Sequence, residues 1–329
     1  MGNMPQSGVS AACGQGSNLP CSMPIFSEGV KDMNRKESFS TKVKLFSLFA
    51  GPSMLAFTCV VILPFIYGLY LTLTSWDGFS AQKEFVGLRN YIDTFRDQDF
   101  WTSIFLTFKY VFFVVIFVNV IAFGLAWLLT SGIKGQNFLR AGFFTPNLIG
   151  GIVLGFIWNF IYSRVIPGIG TLSAFESLPI FQQSWLSSPK MAFWSLVIVA
   201  TWQQSGYMLL IYVAGFVGVS PDYIEAAHID GCNESQVTRY IRLPLMVQSF
   251  VICLFLTLTS AFKVYDLNLS LTDGGPYGTT KMAAMTIFEK AFTEHKYGLG
   301  QAQAIIFFII MLIIAVAQVV SGKKKEVEA

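Results

Sequence analysis

The 329-residue chain is 53% hydrophobic and only 12% charged, with 32 phenylalanines and a net charge of +3. So few polar groups cannot cover a water-exposed surface, so the composition excludes a soluble domain and makes lipid the solvent. It also excludes intrinsic disorder, a collagen-like chain and a nucleic-acid-binding domain.

The first 40 residues, rich in Gly, Ser, Asn and Pro, show no apolar period, and a disordered tail is expected. No apolar stretch precedes Ala11-Ala12-Cys13, which argues against a lipoprotein leader, while Met33-Asn34-Arg35-Lys36 reads as an ordinary chain start. Long uncharged runs follow, each with the roughly 20 apolar residues that cross a bilayer. They predict six membrane spans, at about 45–74, 110–131, 141–163, 191–218, 245–270 and 299–321. Continuous rather than alternating hydrophobicity excludes a β-barrel. Pro52, Pro64 and Pro146 fall inside runs, where neighbouring helices can satisfy the freed backbone groups. Between the first two runs, Phe85, Leu88, Tyr91, Ile92, Phe95 and Phe100 approximate a 3-4 spacing, which fits a helix on the membrane surface or a packed loop. Lys42, Lys44, Lys134, Arg140 and the tail at 323–329 with Lys323, Lys324 and Lys325 flank helix ends on one side, so both termini are expected in the cytoplasm of a bacterial cell membrane.

The five cysteines show no CxxC spacing, and His228 and His295 lack a second nearby His or Cys, so neither a disulfide framework nor a metal site is expected. No GxxxxGK[ST] run and no convergent Ser/His/Asp or paired-carboxylate set appears, so the expectation is that the chain is not itself an enzyme.

One loop stands out. Over 220–244, Ser220 suits an N-cap, Pro221 the first helical position and Asp222 the positive end of the dipole. Gly231 fits a left-handed helix end, Asn233 with Gln236 fits a capping box, and Pro244 stops the second helix after Arg239 and Arg242. Helix, glycine turn, helix is therefore predicted, with the small Ala226 and Ala227 permitting close approach by another surface.

The set Glu225-Ala226-Ala227, Gly231, Ile241 and Leu243-Pro244 resembles the EAA loop of bacterial ABC importer permeases at all seven positions. Leu271-Thr272-Asp273-Gly274-Gly275-Pro276 and Phe85-Val86-Gly87-Leu88-Arg89-Asn90-Tyr91 are similar to segments of the carbohydrate-uptake class, those of maltose, glycerol-phosphate and multiple-sugar type. The resemblance implies an all-α, six-span permease of the type I importer fold whose loop docks into a cleft of an ATPase subunit. It implies a second homologous permease, two ATPase subunits that bind ATP and magnesium, and an extracytoplasmic sugar-binding protein as partners, with a carbohydrate as substrate. No cofactor is implied in this chain.

Polar and aromatic residues within spans are costly in lipid and mark a candidate substrate path. Trp202, Gln203, Gln204, Ser205 and Tyr207 are the densest such cluster. By resemblance, Tyr207 matches a sugar-contacting tyrosine of maltose-type permeases, Gln204 replaces a glycine, and Thr257, Ser260 and Ala261 hold pocket-facing positions, Ala261 replacing an asparagine. Lys263 and Asp266 share a face if the fifth span continues to Leu271, where they line a cavity or form an interfacial ion pair. Asn147, Trp158, Asn159 and Tyr162 are ambiguous, and Asn119 suits a hydrogen bond between helices. The competing class is an ion-coupled secondary sugar transporter acting without an ATPase, which would need ionisable groups deep in its spans.

Overall fold

The computed structural model describes residues 44, 46–172 and 177–323. The tail expected over 1–40 and most of the basic segment 323–329 lie outside them. The described residues are helical, with one isolated bridge between Thr74 and Phe85. The chain divides into two compact units, up to Leu63 and from Pro64. The first unit holds α1 (Gly51–Phe57), with Pro52 in its first turn, and a π-helical stretch Thr58–Ile62. Neither buries a residue, and Leu55 and Val60 are exposed, an arrangement that lipid tolerates and water does not.

The helix α2 (Leu63–Leu71), which lies in the second unit from Pro64 on, leads through a loop to α3 (Arg89–Arg96). That short helix turns its polar side inward: Asn90 is buried and its amide donates to the carbonyls of Thr72 and Thr74, both at 2.8 Å. Leu88, Ile92 and Phe95 stay exposed, the orientation of a helix lying against a membrane surface.

The longest helix, α4 (Gln98–Thr130), begins well before the predicted position 110 because Asp97 caps it, its carboxylate accepting from the backbone N–H groups of Asp99 and Phe100. The third predicted span is broken: α5 (Gln136–Phe144) ends in a tight turn at Thr145–Leu148 around Pro146, and α6 (Gly151–Phe160) starts afresh after Gly150. It continues through a π-helical turn, Ile161–Val165, into α7 (Ile166–Gly170). The helix α8 (Pro189–Gly218) is continuous. Beyond it come α9 (Pro221–Ile229), α10 (Glu234–Val237) and α11 (Leu243–Leu245).

The fifth predicted span also departs from a single helix. The segment Glu234–Leu245 meets α12 (Val247–Phe262) at a bend of 68°. At the other end α12 stops at Phe262, and α13 (Asp266–Leu271) restarts after three residues. Lys263 and Asp266 therefore do not share a helix face. The chain closes with α14 (Ala283–Phe288) and α15 (Tyr297–Lys323). Among the described residues five helical runs are long and apolar enough to span a membrane, and the bent pair makes a sixth.

The core lies between α4, α8 and α12. Val114, Val118, Ala122 and Ala126 of α4 are fully buried, as are Leu196 and Leu209 of α8 and Cys253 of α12. Small side chains at such contacts let the helices approach closely, which is how membrane helices gain packing energy without a hydrophobic driving force. A polar tie crosses the core: Tyr212 donates to Asn119 at 2.8 Å, and Asn119 reaches Thr257 at 3.4 Å. At one close approach, a Cβ placed on Gly155 would lie 1.9 Å from the Ser270 hydroxyl, so α6 and α13 touch as only glycine allows.

Candidate functional site

Two places hold the residues singled out in the sequence. The first is the helix pair around α9. Ser220 accepts from the Asp222 N–H, Pro221 opens the helix, and Gly231 sits at φ +85°. Gly231 N–H bonds to His228 C=O at 3.0 Å and Cys232 N–H to Ala227 C=O at 2.9 Å, the paired bonds of a Schellman end. Asn233 and Gln236 form a reciprocal capping box. Glu234 then fastens the two helices together, with one oxygen 3.2 Å from His228 Nε2 and the other 3.1 Å from Arg242.

This stiffened turn separates face from foundation. Glu225, Ala226 and Gly231 are exposed, together with Asp222 and Ile229; Ile229 is 86% exposed. Ala227 is buried, Ile241 is partly buried against the core, Leu243 is partly buried, and Pro244 is exposed at the start of the short α11. Helical spacing puts 222, 225, 226 and 229 on one side and 224 and 227 on the other. Sequence reasoning missed Ile229 and Tyr240, the latter 64% exposed; an apolar side chain among charged neighbours was the available signal.

The second place is a cavity of about 350 Å³ between α8, α12 and the turn at Asn147. Gln204, Tyr207, Ser260 and Lys263 line it, with Asn147, Met208, Leu256 and Thr259 completing its wall. An adjoining recess of about 200 Å³ shares Gln204, Ser260 and Lys263 and adds Tyr110, Gln203 and Asp266. Gln203 is satisfied, donating to Ile149 C=O at 3.0 Å. Two buried polar atoms on these walls have no partner: Gln204 Oε1 and the Tyr110 hydroxyl. No ion pair joins Lys263 to Asp266 among the described residues.

Trp202, Ser205, Thr257 and Ala261 line neither the cavity nor the recess. Thr257 is fully buried and donates to Cys253 C=O at 2.7 Å, and Ala261 is buried beside it. The cavity face of α12 is instead Leu256, Thr259, Ser260 and Lys263, an i, i+3, i+4, i+7 set turned about 100° from the predicted one. Trp202 packs edge-on against Trp158 at 5.5 Å, at the end of an aromatic column that continues through Tyr162 to Trp185. Asn159 donates to Leu271 C=O at 2.7 Å, tying α6 to α13. Among the described residues no three His, Cys, Asp or Glu side chains gather as metal ligands would.

Comparison with known proteins decides the family. Residues 95–326 match the binding-protein-dependent transport system inner membrane components. The chain belongs to that family. As a transport component of this family, the chain is a multi-pass membrane protein with the ABC importer permease fold. It is 41% identical to the probable starch degradation products transport system permease protein AmyD of Thermoanaerobacterium thermosulfurigenes, over 90% of this chain and all of that one. It is 28% identical to the trehalose/maltose transport system permease protein MalF of Thermococcus litoralis, over 86% of this chain and 95% of the relative. Its fold matches a chain of a bacterial ABC transporter involved in the import of the acidic polysaccharide alginate, with a TM-score of 0.74, 16% identity, and coverage of 86% and 98%.

Proposed function

We propose that this permease is a membrane-spanning subunit of an ATP-driven importer that moves a sugar or oligosaccharide delivered by an extracytoplasmic binding protein. The observation that carries this reading is the 41% identity, over 90% of this chain, with a permease named for starch degradation products. Its partners in this reading are a second permease subunit and two ATPase subunits that bind ATP and magnesium, in a bacterial cell membrane with both termini inside.

The geometry supplies a division of labour. The exposed face of α9, with Glu225, Ala226 and Ile229, is a short rigid ridge suited to a cleft in an ATPase subunit. Its caps at both ends and the Glu234 bridges keep the ridge from fraying, so a displacement of the ridge moves the helix pair as a body. Ile241 and Leu245 anchor that pair toward the core, just before α12 begins. The cavity then acts as the translocation chamber: amide and hydroxyl groups of Gln204, Ser260 and Asn147 meet sugar hydroxyls while the Tyr207 ring packs against a sugar face.

Reconstitution of the complete transporter in vesicles tests the reading. ATP-dependent uptake of a sugar is expected, and Glu225→Lys should abolish it while the protein still inserts and the permease pair still forms. Undiminished uptake by the variant would remove the coupling role from α9.

A further inference from the structure

His228 sits at the joint between the ridge of α9 and the helix that follows, and both nitrogens of its ring face acceptors. Nδ1 lies 3.1 Å from the Cys232 carbonyl oxygen, and Nε2 lies 3.2 Å from Glu234 Oε1. A carbonyl and a carboxylate only accept, so each contact is a hydrogen bond only when the nitrogen carries a proton. A neutral imidazole has one N–H and an imidazolium has two. The charged ring therefore makes both bonds, one back to the turn and one across to α10. The neutral ring makes one and turns a lone pair toward the other oxygen. The second Glu234 oxygen is taken by Arg242 at 3.1 Å, and the same guanidinium reaches the Thr238 hydroxyl at 3.4 Å. Protonated His228 thus completes a chain from α9 through Glu234 to the π-helical stretch Thr238–Arg242, which leads through α11 to the bend before α12. Other charged groups stand near: Glu225 three residues back on α9, Asp230 in the turn, and Arg239, whose guanidinium lies over the Tyr240 ring. Among the described residues the ring itself bonds only to Cys232 and Glu234.

Resting on the coupling role proposed above for α9, we infer that His228 is a positioning residue whose protonation latches α9 to α10. A more acidic cytoplasm then tightens the link between ATP hydrolysis and sugar movement, and a more alkaline one slackens it. The sign follows from the bonds: the bridge to the Glu234 carboxylate is present while the ring is charged and is lost as rising pH removes its proton. Histidine is the side chain that changes charge within the physiological pH range, so modest shifts in the cytoplasm are enough. His228 and Glu234 are both exposed, so protons reach the pair freely and the bridge has the strength of a surface ion pair, a factor of about three in an equilibrium. A slack joint lets the ridge move without carrying α12 along, and ATP is spent without import.

The test measures sugar imported per ATP hydrolysed by the complete transporter in vesicles, with only the ATPase side moved from about pH 6 to about pH 8. Maltose, maltotriose and trehalose, presented on saturated binding protein, are the probes. Taking the ratio cancels the pH dependence of hydrolysis itself. The unmodified transporter is expected to import about threefold less sugar per ATP at the alkaline pH. His228→Gln, neutral throughout, should give the low ratio at both pH values, and His228→Arg, charged throughout, the high ratio at both. Glu234→Gln, which removes the carboxylate, should match His228→Gln. A ratio that does not change with pH in the unmodified transporter, or one that changes equally in His228→Gln, overturns the latch and leaves the ATP-driven importer standing. Failure of the unmodified transporter to import any of these sugars with ATP counts against the importer reading itself, and the latch falls with it.

Discussion

Gly231 shows how much a single residue can hold. It closes α9 at φ +85°, and a Cβ there would meet nothing within 4 Å, so crowding plays no part in the choice of glycine. The left-handed backbone alone disfavours other residues, by about 1–2 kcal/mol for alanine and less for asparagine. Gly231→Ala is therefore expected to lower the uptake rate and loosen the turn, with Gly231→Asn intermediate; measuring uptake beside hydrogen exchange at Gly231 and Cys232 checks the order. The loop was the most legible part of the sequence, because caps, glycine ends and capping boxes are local: Ser220, Gly231, Asn233 and Gln236 each act on neighbours a few positions away. The cavity was less so. Gln204 and Tyr207 stand out by polarity within an apolar run and Ser260 by resemblance, whereas the rotation that hides Thr257 depends on how α12 packs against α4 and α8.

At the scale of elements, the ends of α4 and α15 are clamped by a charged cluster outside the apolar runs. Lys290 lies 3.5 Å from Asp97 and 2.9 Å from Glu294, Lys296 is 2.9 Å from Glu294, and Gln303 donates to Asp97 at 3.1 Å. Burial works against the Lys290 ammonium, but Glu294 and Asp97 outweigh it and hold its pKa above the ordinary lysine value of 10.5. Burial likewise disfavours the Glu294 carboxylate, but Lys290 and Lys296 hold its pKa below the ordinary 4.5. A raised lysine stabilises fully below its unfolded pKa and loses that effect as pH climbs through the folded one; a lowered carboxylate stabilises above its unfolded pKa and loses it as pH falls through the folded one. The clamp should thus hold between about pH 4.5 and 10.5. Lys290→Met is expected to lower the thermal midpoint across that plateau, with the gap from the unmodified protein narrowing in stronger acid as Glu294 takes up its proton. The same scale explains the boundary differences: Asp97 starts α4 early, Pro146 and Gly150 divide the third run, and the joints at Met246 and 263–265 interrupt the fifth; Pro146, Gly150 and Met246 carry no charge and so leave the stretches that hydropathy detects unbroken.

For the whole molecule, the decisive distinction is the source of energy. A carrier that worked alone would keep moving sugar without ATP, so uptake in cells carrying the permease pair and binding protein but lacking the ATPase is expected to vanish. Persistent uptake that collapses with the proton or sodium gradient would restore the ion-coupled reading. Composition made the membrane environment plain from the start, since no arrangement of so few charges covers a soluble surface. It carried no information on which helices pair, because lipid and helix interiors are equally apolar.

The contact between Gly155 and Ser270 has a mechanical corollary. With no room for a methyl group between them, and with Asn159 bonded to Leu271 and Ser270 to Gly151, α13 rides on α6 rather than on α12. Asp266 thus travels with one slab of the molecule and Lys263 with another, and residues 263–265 are the strap between them. Swinging the slabs apart by a small angle would pull Lys263 and Asp266 in opposite directions and widen the recess that both line.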